Sequence, residues 1–436
     1  LGFTWSGISS GTFAVRHVPP GFMFDTKGPM GFTLRPNQQM VQEGFLNSVV
    51  ANHLIKMLAP TLDFKLGHIL NLPIIEHAPK KLKIIIKMAI KLSSLDWVSN
   101  ETSWDFAVFP LLRADYRQHV LKDTFRKLRA HWQKMVLEMQ RLEEENNRSF
   151  IVAYGLQEEL DPAVPLKEIT LTCNPFYRYH GNKNESELEA LLLADTMREF
   201  MSYAVGCMFG RYALDKPGLI LANQGETIGD YLKQISAPTF PADDDNVVPM
   251  LDGDWFTDDI TERFLKFLRV TFGDEHFEEN LKFIEQAIGK DIRKYFLRDF
   301  YNDHVRRYKK RPIYWLFSSP KGSFNALIYM HRYRPDTVSV VLNDYLREFQ
   351  AKLISRKGHL EAISISTSTT QVEKTRALKE IENLNKMIVE MEEYEREVLY
   401  PLATEQVEIN LDDGVKVNYN KFGGALRKIA GLTLKK

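Results

Sequence analysis

The chain reads as α+β: a small mixed β/α domain followed by a predominantly α-helical region that closes in a helical hairpin. Three observations carry this reading. Residues 1 to about 40 hold short apolar runs cut by turn residues. From Pro79 onward the apolar residues recur at three- and four-residue spacing. Near the end, Ile381, Leu384, Ile388, Met391 and Val398 follow heptad spacing, interrupted by Glu395. A chain of 436 residues exceeds one ordinary core, so two or three domains are expected. Their expected bounds are 1–75, 76–150 and 151–436.

The opening is β-rich, with Phe3, Trp5 and Ile8, then Phe13-Ala14-Val15, then Phe22-Met23-Phe24 as candidate strand runs. Gly7, Gly11, Pro19-Pro20-Gly21 and Gly28-Pro29 punctuate them. Ser9, Ser10, Arg16, His17, Lys27 and Arg35 fall near these turns, where side chains can reach base edges or phosphates. They are equally what exposed loops carry. A short amphipathic helix through Phe45, Val49, Ala51, Ile55 and Leu58 leads into LAPTLDFKLGHILNLPII, which contains Lys65 and is expected to turn at Gly67. Pro73 forces the residue before it out of the helical region.

The next segment is a helical spacer. Lys80, Lys83, Lys87 and Lys91 share one helix face, fit either to follow a phosphate backbone or simply to face solvent. DWVSNETSWDFAVFPLL, with Trp97, Trp104, Phe106 and Phe109, reads as a packed aromatic elbow. A long helix is expected over about Tyr116–Asn146, its basic start and acidic end opposing the helix dipole.

Further on, Glu187–Phe209 reads as an apolar helix ending at Gly210, and Thr257 with two aspartates as a helix start. Asp243-Asp244-Asp245 is expected to be a solvated loop. Arg306, Arg307, Lys309 and Lys310 belong to the densest basic cluster, the strongest compositional candidate for phosphate contact, with a solvated helix end as its alternative. A β-hairpin is expected near 313–330, across Ser319-Pro320-Lys321-Gly322. A helical hairpin over 340–402 should join across Gly358 and the Ser/Thr tract at 364–370. The tail around Val415–Tyr419 is expected to pack back on the body.

Basic and acidic residues balance at 57 each, so overall charge does not argue for nucleic acid. Cys173 and Cys207 are too few for a disulfide scaffold and suit a reducing cytoplasm. No apolar run reaches the span of a bilayer. Asn174-Pro175-Phe176-Tyr177 approximates the Asn-Pro-Pro-Tyr loop with which amino-methyltransferases hold a flipped base, but Phe replaces the second Pro and no glycine-rich turn precedes it. Lys321-Gly322-Ser323 reverses the order of a phosphate-binding loop. No HExxH or G-x-S-x-G pattern is present. Neither a catalytic residue nor a metal site is assigned.

Several stretches together resemble the C-terminal half of the PglX-type adenine-specific DNA methyltransferases of BREX phage-defence systems. They are FTWSGISSGTFAVRHVPPGFMFDTKG, LAPTLDFKLGHILNLPII, DWVSNETSWDF, VVPMLDGDWFTDDI, RPIYWLFSSPKGSFNALIYMHRYRPDT and DDGVKVNYNKFG. TWSGISSG and LDFKLGHILNLPI also resemble single-chain restriction–modification enzymes, whose specificity part is one alternative; a protein-interaction scaffold docking other defence proteins is the other. The resemblance implies a target-recognition domain in residues 1–75 and S-adenosylmethionine-dependent methylation of adenine by the complete enzyme. It further implies that phage DNA is restricted together with other BREX proteins. The family's donor-binding and NPPY motifs precede its recognition domain and are unmatched here. The chain, which starts at Leu1, is therefore expected to begin inside a larger protein and to be inactive alone, with no cofactor of its own. Expected partners are double-stranded DNA, other BREX proteins and phage DNA-mimic inhibitors, with no membrane.

Overall fold

The computed structural model describes residues 1–35, 38–59, 61–75 and 80–433. The chain divides into two compact units, residues 1–100 with 126–192, and 101–125 with 193–436. Both are mainly helical and each holds one three-stranded antiparallel sheet, in keeping with the α+β expectation.

In the first unit, β1 (Gly2–Thr4) lies between β2 (Arg16–Val18) and β3 (Met30–Gly31). Phe3 pairs with His17 on one side and with Gly31 on the other. Phe13-Ala14-Val15 is not a strand. Phe13 and Val15 instead enter a core with Phe3, Trp5, Phe45, Ile55, Phe64, Leu72 and Phe150. Phe22-Met23-Phe24 is no strand either: it stays exposed, because β1 already has a partner on both sides.

Three helices follow, α1 (Gln39–Leu46), α2 (Val49–Leu58) and α3 (Leu66–Leu70). Ser48 starts α2 by accepting the Ala51 N–H at 3.2 Å, a cap worth about 1 kcal/mol. Gly67 lies inside α3, and the chain leaves the helix only at Asn71, as the following Leu72-Pro73 requires. Gly44 lets α1 approach α4 (Lys80–Trp97), since a Cβ there would collide with Ile86 and Asn146. Pro79, where the helical spacing begins, lies outside the described residues.

Helix α5 (Leu121–Tyr154) starts five residues later than expected and runs further. The Leu121 N–H donates to the Asn280 side chain at 2.7 Å, a cap supplied from far along the sequence. Asp96, within the DWVSNETSWDF stretch, accepts the Thr172 and Cys173 N–H groups at 2.7 and 3.0 Å. The tryptophans of that stretch are not packed: Trp97 and Trp104 are 53% and 86% exposed, and of the aromatic side chains expected in the elbow Phe106 and Phe109 are the buried ones.

In the second unit, α6 (Glu185–Met208) enters from the first and is followed by Gly210 at φ +71°. The sheet orders β4 (Val247–Pro249), β6 (Asn325–Tyr329) and β5 (Tyr314–Ser318), so the expected hairpin is present. Asp259, not Thr257, caps α7 (Ile260–Phe272), accepting the Thr261 N–H at 2.8 Å. Asp243 is buried rather than solvated. It accepts the Val247 N–H at 3.1 Å and lies 3.5 Å from Arg263, and burial beside Asp245 pushes its carboxyl above the usual range.

A short helix, α8 (Tyr301–Arg307), precedes β5. The helical hairpin pairs α9 (Arg347–Ile365) with α10 (Gln371–Tyr394). Gly358 lies inside α9, so only the Ser/Thr tract forms the joint. Its glycine penalty, about 1 kcal/mol, is outweighed by packing along α10. The final helix, α11 (Val415–Lys421), does pack back, with Tyr419 edge-on to Trp315 at 5.6 Å. Both cysteines are buried and unbonded, and burial pushes both thiols up.

Candidate nucleic-acid interface

Three loops of the first unit are stitched together by backbone hydrogen bonds. The Gly7 N–H donates to Lys27 O at 3.2 Å, Ser9 N–H to Leu62 O at 3.0 Å and Phe64 N–H to Gly7 O at 2.8 Å. This brings Ser9, Ser10, Lys27 and Lys65 onto one loop cluster, with Ser9 half-buried and the others exposed. Below it, the Trp5 indole donates to Phe64 O at 3.0 Å, so a buried aromatic anchors the cluster to the core.

Arg16 and His17 lie beside it on β2. His17 Nδ1 lies 3.0 and 3.1 Å from the two oxygens of Glu43, whose side chain is buried and also accepts from Gln39 at 2.9 Å. A bidentate carboxylate at Nδ1 fixes the ring's orientation from inside. Arg16 is exposed and donates to Thr170 Oγ1 at 3.2 Å. Behind it, burial pushes the Glu143 carboxyl up to about 7, with the Arg16 charge opposing the shift. Arg35 is exposed after β3, Lys87 is exposed on α4, and Lys83 is half-buried. The side chain of Lys80 lies outside the described ones.

The basic cluster 306–310 belongs to the second unit. Arg306 is exposed and pairs with Asp303 at 2.7 Å. Arg307 turns inward to Glu101 at 3.4 Å, which also accepts from Tyr308 at 2.9 Å and Ser202 at 2.7 Å. Lys309 and Lys310 are exposed and both left-handed, at φ 50° and 62°. Lys309 N–H donates to Arg306 O and Lys310 N–H to Val305 O, closing α8 in the geometry normally given to glycine. Two lysines therefore hold strained backbone to stay at the surface.

Residue-type reasoning missed the apolar part of the loop cluster. Ile8, Met23, Leu34 and Leu62 are exposed among the polar candidates. Runs as short as Phe22-Met23-Phe24 read equally as strand or as loop tip. Glu43 and Gln39 were also missed, since nothing in sequence links α1 to β2.

The catalytic lookalikes are fully occupied by structure. Asn174 is buried and caps a turn, accepting the Phe176 N–H at 3.2 Å. Its amide donates to Leu166 O and Ile169 O at 2.8 and 2.9 Å. With the side chain fully buried and both amide hydrogens spent on carbonyls, a target amino group cannot reach it. At the Lys321 turn, Glu390 captures the Lys321 N–H at 2.6 Å and the Ser323 hydroxyl at 2.5 Å, so the turn's donors point at a carboxylate. Among the described residues there is no metal-ligating cluster, and no helix is long and apolar enough to cross a membrane.

No family model matches the chain. It is 33% identical over 453 residues to the adenine-specific methyltransferase BrxX of Escherichia coli O9:H4 (strain HS), covering 99% of this chain and 36% of that protein. It is 36% identical over 434 residues to the adenine-specific methyltransferase PglX of Lacticaseibacillus casei (strain Zhang), covering 96% and 34%. The chain thus spans about a third of the length of the relatives it matches. It is PglX-like, a relative of the BREX adenine-specific methyltransferases along almost its whole length.

Proposed function

We propose that this chain is the DNA target-recognition part of an S-adenosylmethionine-dependent adenine methyltransferase of a BREX phage-defence system. Residues 1–75 select the site, Ser9, Ser10, His17 and Lys27 facing base edges from the loop cluster and β2. Arg16, Arg35, Lys65, Lys83 and Lys87 contact phosphates, and Arg306, Lys309 and Lys310 form a second basic surface on the second unit, whereas Arg307 is spent on Glu101. The carrying observation is the stitched, exposed loop cluster with its Glu43-held histidine, in a chain whose relatives bear adenine-specific methyltransferase names. Methyl transfer itself is assigned to motifs that this sequence does not match, with S-adenosylmethionine bound there. Phage DNA mimics would compete for the same surface.

The test is selection from a random duplex pool, followed by titration of the enriched duplex at several salt concentrations. A preferred duplex should bind at least several-fold tighter than a scrambled one, with an affinity that falls steeply with salt. Equal, weak binding to both would remove base readout. Incubated with S-adenosylmethionine, the 436-residue chain should transfer no methyl groups by itself.

One observation favours an added protein-docking role. The helical hairpin leaves Ile354, Ile365, Val372, Leu378 and Val389 exposed. Ile365→Ser with Val372→Ser should weaken capture of other BREX proteins and leave duplex binding intact.

A further inference from the structure

The segment between β2 and β3 carries a feature that base-edge hydrogen bonding does not use. Met23 stands 96% exposed, between Phe22 and Phe24, which are 52% and 60% exposed. Single exposed apolar side chains are ordinary, whereas three in succession mark a contact surface. The run is firmly held. The Asp25 carboxylate accepts the Lys27 and Gly28 N–H groups at 2.7 and 3.0 Å. The Phe24 ring meets Phe32 edge-on at 5.8 Å, and Thr4 Oγ1 donates to Pro29 O at 2.9 Å. Both stems end in strands paired to β1. The tip is thus braced from its Phe24 side, on a loop tied at both ends to β1.

We infer that Phe22-Met23-Phe24 is a wedge that enters a base step of the bound duplex and parts it. The inference rests on residues 1–75 being a DNA-recognition surface. The charge of residues 1–75 argues for this occupant. Arg16, Lys27, Arg35, Lys56 and Lys65 outnumber Asp25, Glu43 and Asp63 within residues 1–75. Of those carboxylates, Glu43 is buried against His17 and Asp25 is bound to backbone, while Asp63 and Lys65, 3.6 Å apart, cancel each other. An apolar tip in a stretch of net positive charge matches a polyanion whose interior is stacked and apolar. Met and Phe are side chains that duplex-kinking proteins insert. A base modified on its exocyclic nitrogen must also leave the stack, and parting a neighbouring step lowers the cost of that motion.

The test uses the full chain and two variants, M23S and the double variant M23S/F24S. Duplexes enriched from a random pool are cloned in tandem into a closed circular plasmid, which is relaxed by topoisomerase with protein bound. The wild type should shift the linking number in proportion to the sites occupied. M23S/F24S should keep the salt slope and bind within about tenfold, yet lose most of that shift. M23S, which leaves the Phe24–Phe32 contact in place, should lose part of it with Tm moved by no more than about 2 °C. No shift with wild type at saturated sites overturns the wedge while recognition stands. An undiminished shift in both variants also overturns it, and assigns the tip to a protein partner instead. Failure of the wild type to enrich any duplex overturns the recognition reading as well.

Discussion

The two small sheets share strand number and antiparallel pairing, yet differ in what surrounds them. In β2-β1-β3 the strands are two or three residues long, and the outer strands are largely half-buried or exposed. In β4-β6-β5 nearly every residue is buried, five residue pairs join β5 to β6, and the outer edge of β5 is covered by a bridge from Phe317 to Leu426. The second sheet is core. The first is a platform whose short strands fix the ends of long loops, and topology alone would not tell them apart.

Substitutions can break or sharpen that contrast. Trp315→Ala, which empties the space against Tyr419 and Phe422, should cost about 3–5 kcal/mol in urea unfolding and leave the salt slope of DNA binding unchanged. Were it mild, the second sheet would not be the core it resembles. Glu43→Ala should cost about 1–3 kcal/mol, and should narrow the preference for the enriched duplex over a scrambled one, since His17 and Gln39 lose their shared acceptor. An unchanged preference would detach His17 from readout.

A smaller effect depends on pH. Folded Glu143 keeps its proton up to about 7, whereas the unfolded group loses it near its ordinary 4.5. Between those values the folded chain binds more protons, so this group's contribution falls as pH rises and is level above about 7. Glu143→Gln should flatten the urea midpoint between about pH 5 and about pH 8, and a profile identical to wild type would rule out Glu143 as the source. Smallest of all, Lys309→Gly should reduce the salt slope by about 0.9 while stability holds or rises by up to about 1 kcal/mol. A drop in Tm would mean that Lys309 serves the fold rather than a phosphate.

Periodicity made the helices and the second hairpin legible. The extents of α4, α6 and α10 follow from apolar spacing and from neighbouring Gly or Thr signals. What stayed hidden depends on partners remote in sequence. Asn280 decides where α5 begins, and Arg263 and Arg332 draw Asp243 inward. An aspartate beside its own loop looks solvated until those arginines are in place. In the interface, the polar candidates near turns could be named, but Glu43, on a different element, could not. The exposed tryptophans are the reverse case: clustered aromatics read as packing, yet of these four only Phe106 and Phe109 turn inward.

The buried state of Cys173 and Cys207 has a practical consequence. With their thiols held protonated and shielded, neither competes for a maleimide or is readily oxidised during handling. A cysteine introduced at exposed Ser186, away from the residues assigned to DNA, would therefore take a single dye, and the chain could report its own arrival on a duplex by energy transfer without prior removal of native thiols.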